Sequence, residues 1–189
     1  LVAPVPEIPN SQEYTQQDAN KKIKRLAHIT RWKNILELKT PPTSQIKAGD
    51  VEMEVIVTYG GEEYSSKTES SGLLAEYTWK DNNLQEPEAK FDMNNKREQE
   101  LFCLVIELDG NYAIDVSYFF QERSSIPLPS GSIQEGEEIY LEIPREYLNN
   151  GITEYDIIYK LIASTREFNA SLLQQPGLDS PPQANRVDN

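Results

Sequence analysis

Glu100-Leu-Phe-Cys-Leu-Val-Ile-Glu-Leu-Asp-Gly-Asn-Tyr-Ala-Ile-Asp-Val-Ser-Tyr-Phe-Phe-Gln121 is the stretch whose reading decides the fold class. Two runs rich in β-branched and aromatic residues, Leu101 to Leu108 and Tyr112 to Phe120, are parted by Asp109-Gly110-Asn111. Those three residue types tolerate positive φ, so the spacing predicts a β-hairpin. In the first arm Phe102, Leu104, Ile106 and Leu108 face one way and Leu101, Cys103 and Val105 the other. Both faces are apolar, which places the strand inside two packed layers. It is a core element, and no catalytic motif rises above background elsewhere.

Working outward, the chain has 189 residues, 38% of them hydrophobic, enough for one folded unit. The expected organisation is a Pro-rich arm over 1–16, a helix plus β-domain over 17–178 and a disordered tail over 179–189. The formal charge of −13 argues against nucleic acid and anionic membrane as general partners, since both are recognised by Lys and Arg. The single cysteine leaves no internal disulfide and no multi-Cys zinc cluster, which fits a reducing, cytoplasmic setting. No apolar run approaches the ~20 residues of a membrane helix. The chain starts at Leu1 without a signal-peptide layout, and a processed or excised piece of a longer protein is expected.

From Gln17 to Leu38, apolar residues Ile23, Leu26, Ala27, Ile29, Trp32, Ile35 and Leu36 recur at three- and four-residue spacing, which predicts one amphipathic α-helix. Asp18 is the expected cap and Pro41-Pro42 the stop. Val51 to Tyr59 alternates strictly and predicts a strand with one wet face, ended by Gly60-Gly61. A polar segment and a short apolar run, Leu73 to Trp79, follow. Asp81 to Gln99, charged and interrupted by Pro87, reads as a surface loop, and Ser124 to Gly136 reads as another. Glu138 to Ile143 and Asp156 to Ser164 read as strands. A helical turn is expected at Arg145 to Asn149, with Gly151 as its left-handed exit, and a short helix at Phe168 to Gln174. The resulting fold class is mainly β: an antiparallel β-sandwich, immunoglobulin-like or jelly-roll-like, with one N-terminal amphipathic α-helix.

Three chemistries deserve a test. A Cys103/His28 dyad is disfavoured because Cys103 lies within an apolar strand and has no exposed turn from which to reach a substrate. Carboxylates such as Glu62-Glu63, Glu137-Glu138 and Glu52/Glu54 follow no calcium-loop spacing, and a carboxylate enzyme would need two acids converging in a cleft. No phosphate-binding glycine loop and no Gly-x-Ser-x-Gly elbow occurs. No cofactor, no metal and no catalysis by this chain are expected. The basic run Lys21, Lys22, Lys24, Arg25, Arg31 and Lys33 stands against the acidic balance and suits an acidic partner, RNA or the chain's own acidic sandwich.

Leu26-Ala-His-Ile-Thr-Arg-Trp-Lys-Asn-Ile-Leu-Glu-Leu-Lys-Thr-Pro41, with Val51 opening a strand shortly after, resembles a segment downstream of the protease domain in bacterial caspase-like (metacaspase-like) proteins. Asp156-Ile-Ile-Tyr-Lys-Leu-Ile-Ala-Ser-Thr-Arg-Glu-Phe-Asn169 followed by Leu172-Leu-Gln-Gln175 is similar to the end of that accessory β-domain. His28 precedes Ile29 and Cys103 follows Phe102, so neither matches the family's catalytic motifs and no catalytic residue carries over. The resemblance implies a non-catalytic interaction or regulatory domain whose partner is the caspase-like protease unit of the same parent protein. Ile29, Trp32 and Leu36, with Lys24, Arg25 and Arg31, are the interface candidates; packing of Trp32 onto its own domain is the competing expectation. The alternative is a ligand- or carbohydrate-binding sandwich with Tyr59, Tyr64, Tyr77, Trp79, Tyr112 and Tyr118 as a stacking platform.

Overall fold

Thr15 opens the first element, because its side chain accepts from the backbone N–H of Asp18 while the Asp18 carboxylate accepts from the backbone N–H of Thr15. This capping box starts α1 (Gln16–Leu36), so Asp18 is the partner of the cap and not, as its position suggested, the cap itself. The computed structural model describes residues 15–67, 72–116 and 124–178. The first fourteen residues of the arm expected over 1–16, the tail over 179–189, the far end of the second hairpin arm and Tyr118 lie outside them, while Thr15 and Gln16 of that arm belong to the start of α1.

After α1 come β1 (Val51–Tyr59), β2 (Glu62–Lys67), β3 (Thr78–Lys80), β4 (Asn83–Gln85), β5 (Glu88–Asn95), β6 (Leu101–Asp109) and β7 (Ile114–Asp115). They are followed by β8 (Ile126–Leu128), β9 (Ile133–Gln134), β10 (Ile139–Tyr140), α2 (Arg145–Asn149), β11 (Ile157–Ser164) and a 3-10 turn (Ser171–Leu173). The protein is mainly β, with antiparallel sheets and one N-terminal helix. The first sheet runs β10-β5-β1-β2, with β9 also on β5; the second runs β11-β6-β7, with β8 also on β6; β3 and β4 form a small hairpin.

The two faces of β6 are buried for different reasons. Leu101, Cys103 and Val105 join Val51, Met53, Val57, Phe91 and Met93 of the first sheet in one apolar cluster. Leu104, Ile106 and Leu108 join Trp32 of α1, with Ile114 and Val116, in a second. The expected hairpin closes between β6 and β7, where Leu108 faces Ile114 and Glu107 faces Asp115. Its turn is tied by the Asp109 carboxylate, which accepts from the N–H of Asn111 at 2.9 Å and of Ala113 at 2.7 Å.

Several expectations are corrected. Asp81 to Gln99 is not a loop: β5 pairs with β1 along all of its own length, from Val51 opposite Asn95 to Thr58 opposite Glu88. Ala89, Phe91, Met93 and Asn95 are buried in alternation while Glu88, Lys90, Asp92 and Asn94 occupy the other face, a period-2 pattern that the polarity of the segment conceals. Asn95 ends the strand as a buried junction, its Nδ2 donating to the carbonyls of Gln99 and Leu128 at 2.9 Å each. The polar segment after Gly60-Gly61 is β2, turned back onto β1 through two positive-φ glycines. Ser124 to Gly136 contains β8 and β9, the strand expected at Glu138 to Ile143 shrinks to two residues, and the last helix is one 3-10 turn. At Gly136 the chain passes so close to the Phe91 carbonyl that any Cβ would overlap it. The strands at Val51 and Asp156 and the turn at Arg145 agree with expectation.

Candidate functional site

α1 is held by its C-terminal half. His28 Nε2 lies 3.1 Å from the carbonyl oxygen of Tyr112, and Gln175 Nε2 donates to that same oxygen at 2.8 Å and to the His28 carbonyl at 3.3 Å. Trp32 is 1% exposed and meets the Tyr112 ring edge-on at 5.4 Å. Arg31 donates to the Leu172 carbonyl, and Lys160 Nζ donates to the Leu36 carbonyl at 2.7 Å, placing a cation at the negative end of the helix dipole. Gln175 is also bonded through its backbone in both directions to Ile114, which extends the β7 side of the sheet with the C-terminal segment.

The N-terminal half presents a different surface. Ile23 and Leu26 are 64% and 66% exposed, and Lys21 and Lys24 beside them are exposed as well. At about 100° per residue, Ile23 points about 180° and Leu26 about 120° away from Trp32. Of the interface candidates, Trp32 is buried in its own domain, Ile29 and Leu36 pack around it, Lys24 and Arg31 are exposed, and Arg25 is half-buried. Sequence reasoning had absorbed Ile23 and Leu26 into the core stripe. Their angular offset from Trp32 was the signal that separates them.

Among the described residues the aromatic side chains do not come together as one platform. Tyr112 is buried under α1, the Tyr77 hydroxyl accepts from the N–H of Ile143 at 2.9 Å, and Trp79 stands 74% exposed on the β3–β4 hairpin opposite Leu84. Tyr59 and Tyr64 stack on each other at 4.7 Å across β1 and β2.

Cys103 and His28 are separated by the second sheet. Cys103 belongs to the cluster shared with the first sheet, whereas His28 reaches the other face through Tyr112. Burial pushes the Cys103 thiol up to about 11. Carboxylates do converge, at the hairpin end of the second sheet: Glu107 stands between Asp115 on β7 and Tyr159 on β11, with Asp109 nearby. Burial first, then Asp109 and Asp115, pushes Glu107 up to about 7. Glu107 is not on the wall of the cleft described next, and no group of acidic, His or Cys residues among those described is arranged to hold a metal ion.

A cleft of about 1500 Å³ opens between the two large sheets on the side where β2 and β11 are the outer strands. Val55 and Val57 of β1, Leu73 and Ala75, and Leu161 and Ala163 of β11 are among the residues lining it.

No family model, curated protein or solved structure matches this chain. No helix among the described residues is long and apolar enough to cross a membrane.

Proposed function

We propose that this chain is a non-catalytic interaction module, a β-sandwich that carries a basic amphipathic helix and uses the exposed Ile23 and Leu26 face of that helix's N-terminal half to engage an acidic protein partner. The observation that carries the reading is the pair Ile23 and Leu26, each about two-thirds exposed, set in a helix with six cations and no acid between Asp18 and Glu37. Large apolar side chains ringed by charge are the usual composition of an interface anchor, and the ring of cations selects an acidic rim on the other side. The C-terminal half, held on the domain, fixes the direction in which Ile23 and Leu26 project, which lowers the ordering cost of docking. The sandwich arrangement is supported by the apolar cluster to which both large sheets contribute. The partner class implied by the caspase-like resemblance is the protease unit of the parent protein, and in that reading the module positions or restrains the unit.

The test is the pair of substitutions Ile23→Asp and Leu26→Asp. Both residues are exposed, so the melting temperature stays within about 2 °C of the parent, while association with the acidic partner is lost. Unfolding of the double variant would show that the two side chains serve the fold, and unchanged association would remove the helix from the interface.

A further inference from the structure

β11 pairs with β6 along one edge, and among the described residues no strand lies on its other edge. The outer strand of the other sheet, β2, is guarded in the ordinary way: Glu62, Glu63, Tyr64, Ser65 and Lys67 are exposed and polar. β11 has no such protection. Its eight residues are all half-buried, Tyr159, Leu161 and Ala163 lean toward the first sheet, Ile158 and Ile162 lean toward α1, and the single charge is Lys160. An edge of this length and apolarity beside an open cleft is a template for one more strand.

We propose that the free edge of β11 accepts an extended peptide segment of another protein by strand addition, with apolar side chains directed into the cleft and one acidic side chain on the helix side facing Lys160 and Lys39. The cleft walls at Val55, Val57, Leu73 and Ala75 receive alternate side chains of such a strand. The acidic position follows from charge complementarity. Lys160 is on the helix face of β11, where its Nζ reaches the Leu36 carbonyl, and Lys39 is near enough that, after burial, it further lowers the Lys160 pKa. No carboxylate among the described residues pairs with either ammonium group. The same feature disfavours a second copy of this chain as occupant. A two-fold axis normal to the sheet at the strand's centre sets Lys160 against Lys160 or its immediate neighbours, adding like charge where charge is already in excess. This surface is separate from the exposed half of α1, and the two proposals stand or fall independently.

The probe is a short capped synthetic peptide alternating Thr and Val, with Asp in place of the central Thr, titrated into the whole chain and followed by amide hydrogen exchange and calorimetry. The expected result is saturable binding that slows exchange in β11 and leaves β2 unchanged. Lys39→Glu is expected to weaken binding about five- to tenfold, and replacing the peptide's Asp with Lys restores it. Lys39 is exposed, so this variant tests the contact without disturbing the fold. Absence of binding overturns the proposal, as does protection on β2 in place of β11, affinity indifferent to the Lys39 and Asp exchange, or a dimer of the chain that occupies β11 and excludes the peptide.

Discussion

Gln175 Nε2 and the carbonyl oxygen of Tyr112 lie 2.8 Å apart in a buried position, and that bond joins the C-terminal segment to the turn that seats α1. Tyr112 has φ of 64°, a left-handed conformation that turns its carbonyl toward both Gln175 and His28. Gln175→Ala leaves this oxygen with one fewer donor and removes the bond to the His28 carbonyl. The expected loss is about 1–3 kcal/mol in urea unfolding. Gln175→Glu is expected to be worse at neutral pH than in acid, because a carboxylate cannot donate to two carbonyls.

The two tryptophans of the chain separate a core position from a surface one. Trp32→Ala opens a cavity beneath α1 and is expected to cost about 3–5 kcal/mol, whereas Trp79→Ala changes stability by about 0.5 kcal/mol or less. Iodide quenching checks the assignment: quenchable fluorescence disappears in the Trp79→Ala protein, and what remains, from Trp32, is shielded until the protein unfolds.

Glu107 gives the fold a pH dependence of defined sign. Its folded pKa of about 7 lies above the ordinary 4.5, because burial and the neighbouring Asp109 and Asp115 penalise the charged form. Its contribution to stability is therefore full below the ordinary value and is lost as pH rises through about 7. Between about pH 5 and pH 8 the fold weakens by on the order of 2–3 kcal/mol from this group. Glu107→Gln removes that dependence and makes the variant the more stable protein at pH 8. Equal urea midpoints for both proteins at pH 8 would contradict the placement.

Cys103 is enclosed between the sheets with its thiol held up to about 11, so alkylation at pH 8 is expected only through unfolding. A labelling rate that rises with denaturant in step with the unfolded fraction is the expected signature. Fast labelling of the native protein would reopen a nucleophilic role.

What was legible in the sequence was local. The alternation of Val51 to Tyr59, the Asp109-Gly110-Asn111 turn and the helical spacing around Trp32 each lie within one element and each marked the right element, although the positive φ expected at Asp109, Gly110 and Asn111 falls on Tyr112. β5 was missed because Lys90, Asp92 and Asn94 on its outer face make the window look solvated, although Ala89, Phe91 and Met93 keep a strict inner face. β2 was missed because an edge strand guarded by Glu and Ser has no hydrophobic period to read. The exposed half of α1 depends on where the second sheet stops beneath the helix, and the cleft depends on how far the two sheets diverge. Both are long-range relations that no window of the chain contains: helical spacing sets Ile23 and Leu26 apart from Trp32, but which of the two faces is covered is decided by the rest of the fold.

The central claim is that the exposed Ile23 and Leu26 face of α1 is a docking element, and site-specific photo-crosslinking in the native cells tests it most directly. A photoreactive residue at position 23 is compared with one at position 133, where Ile133 is equally exposed but lies on β9, away from the helix. The account predicts a discrete adduct with an acidic protein from position 23, abolished by Lys24→Glu with Arg25→Glu, and none from position 133. Adducts of equal yield from both positions, or an adduct at position 23 that survives the charge reversal, would contradict it.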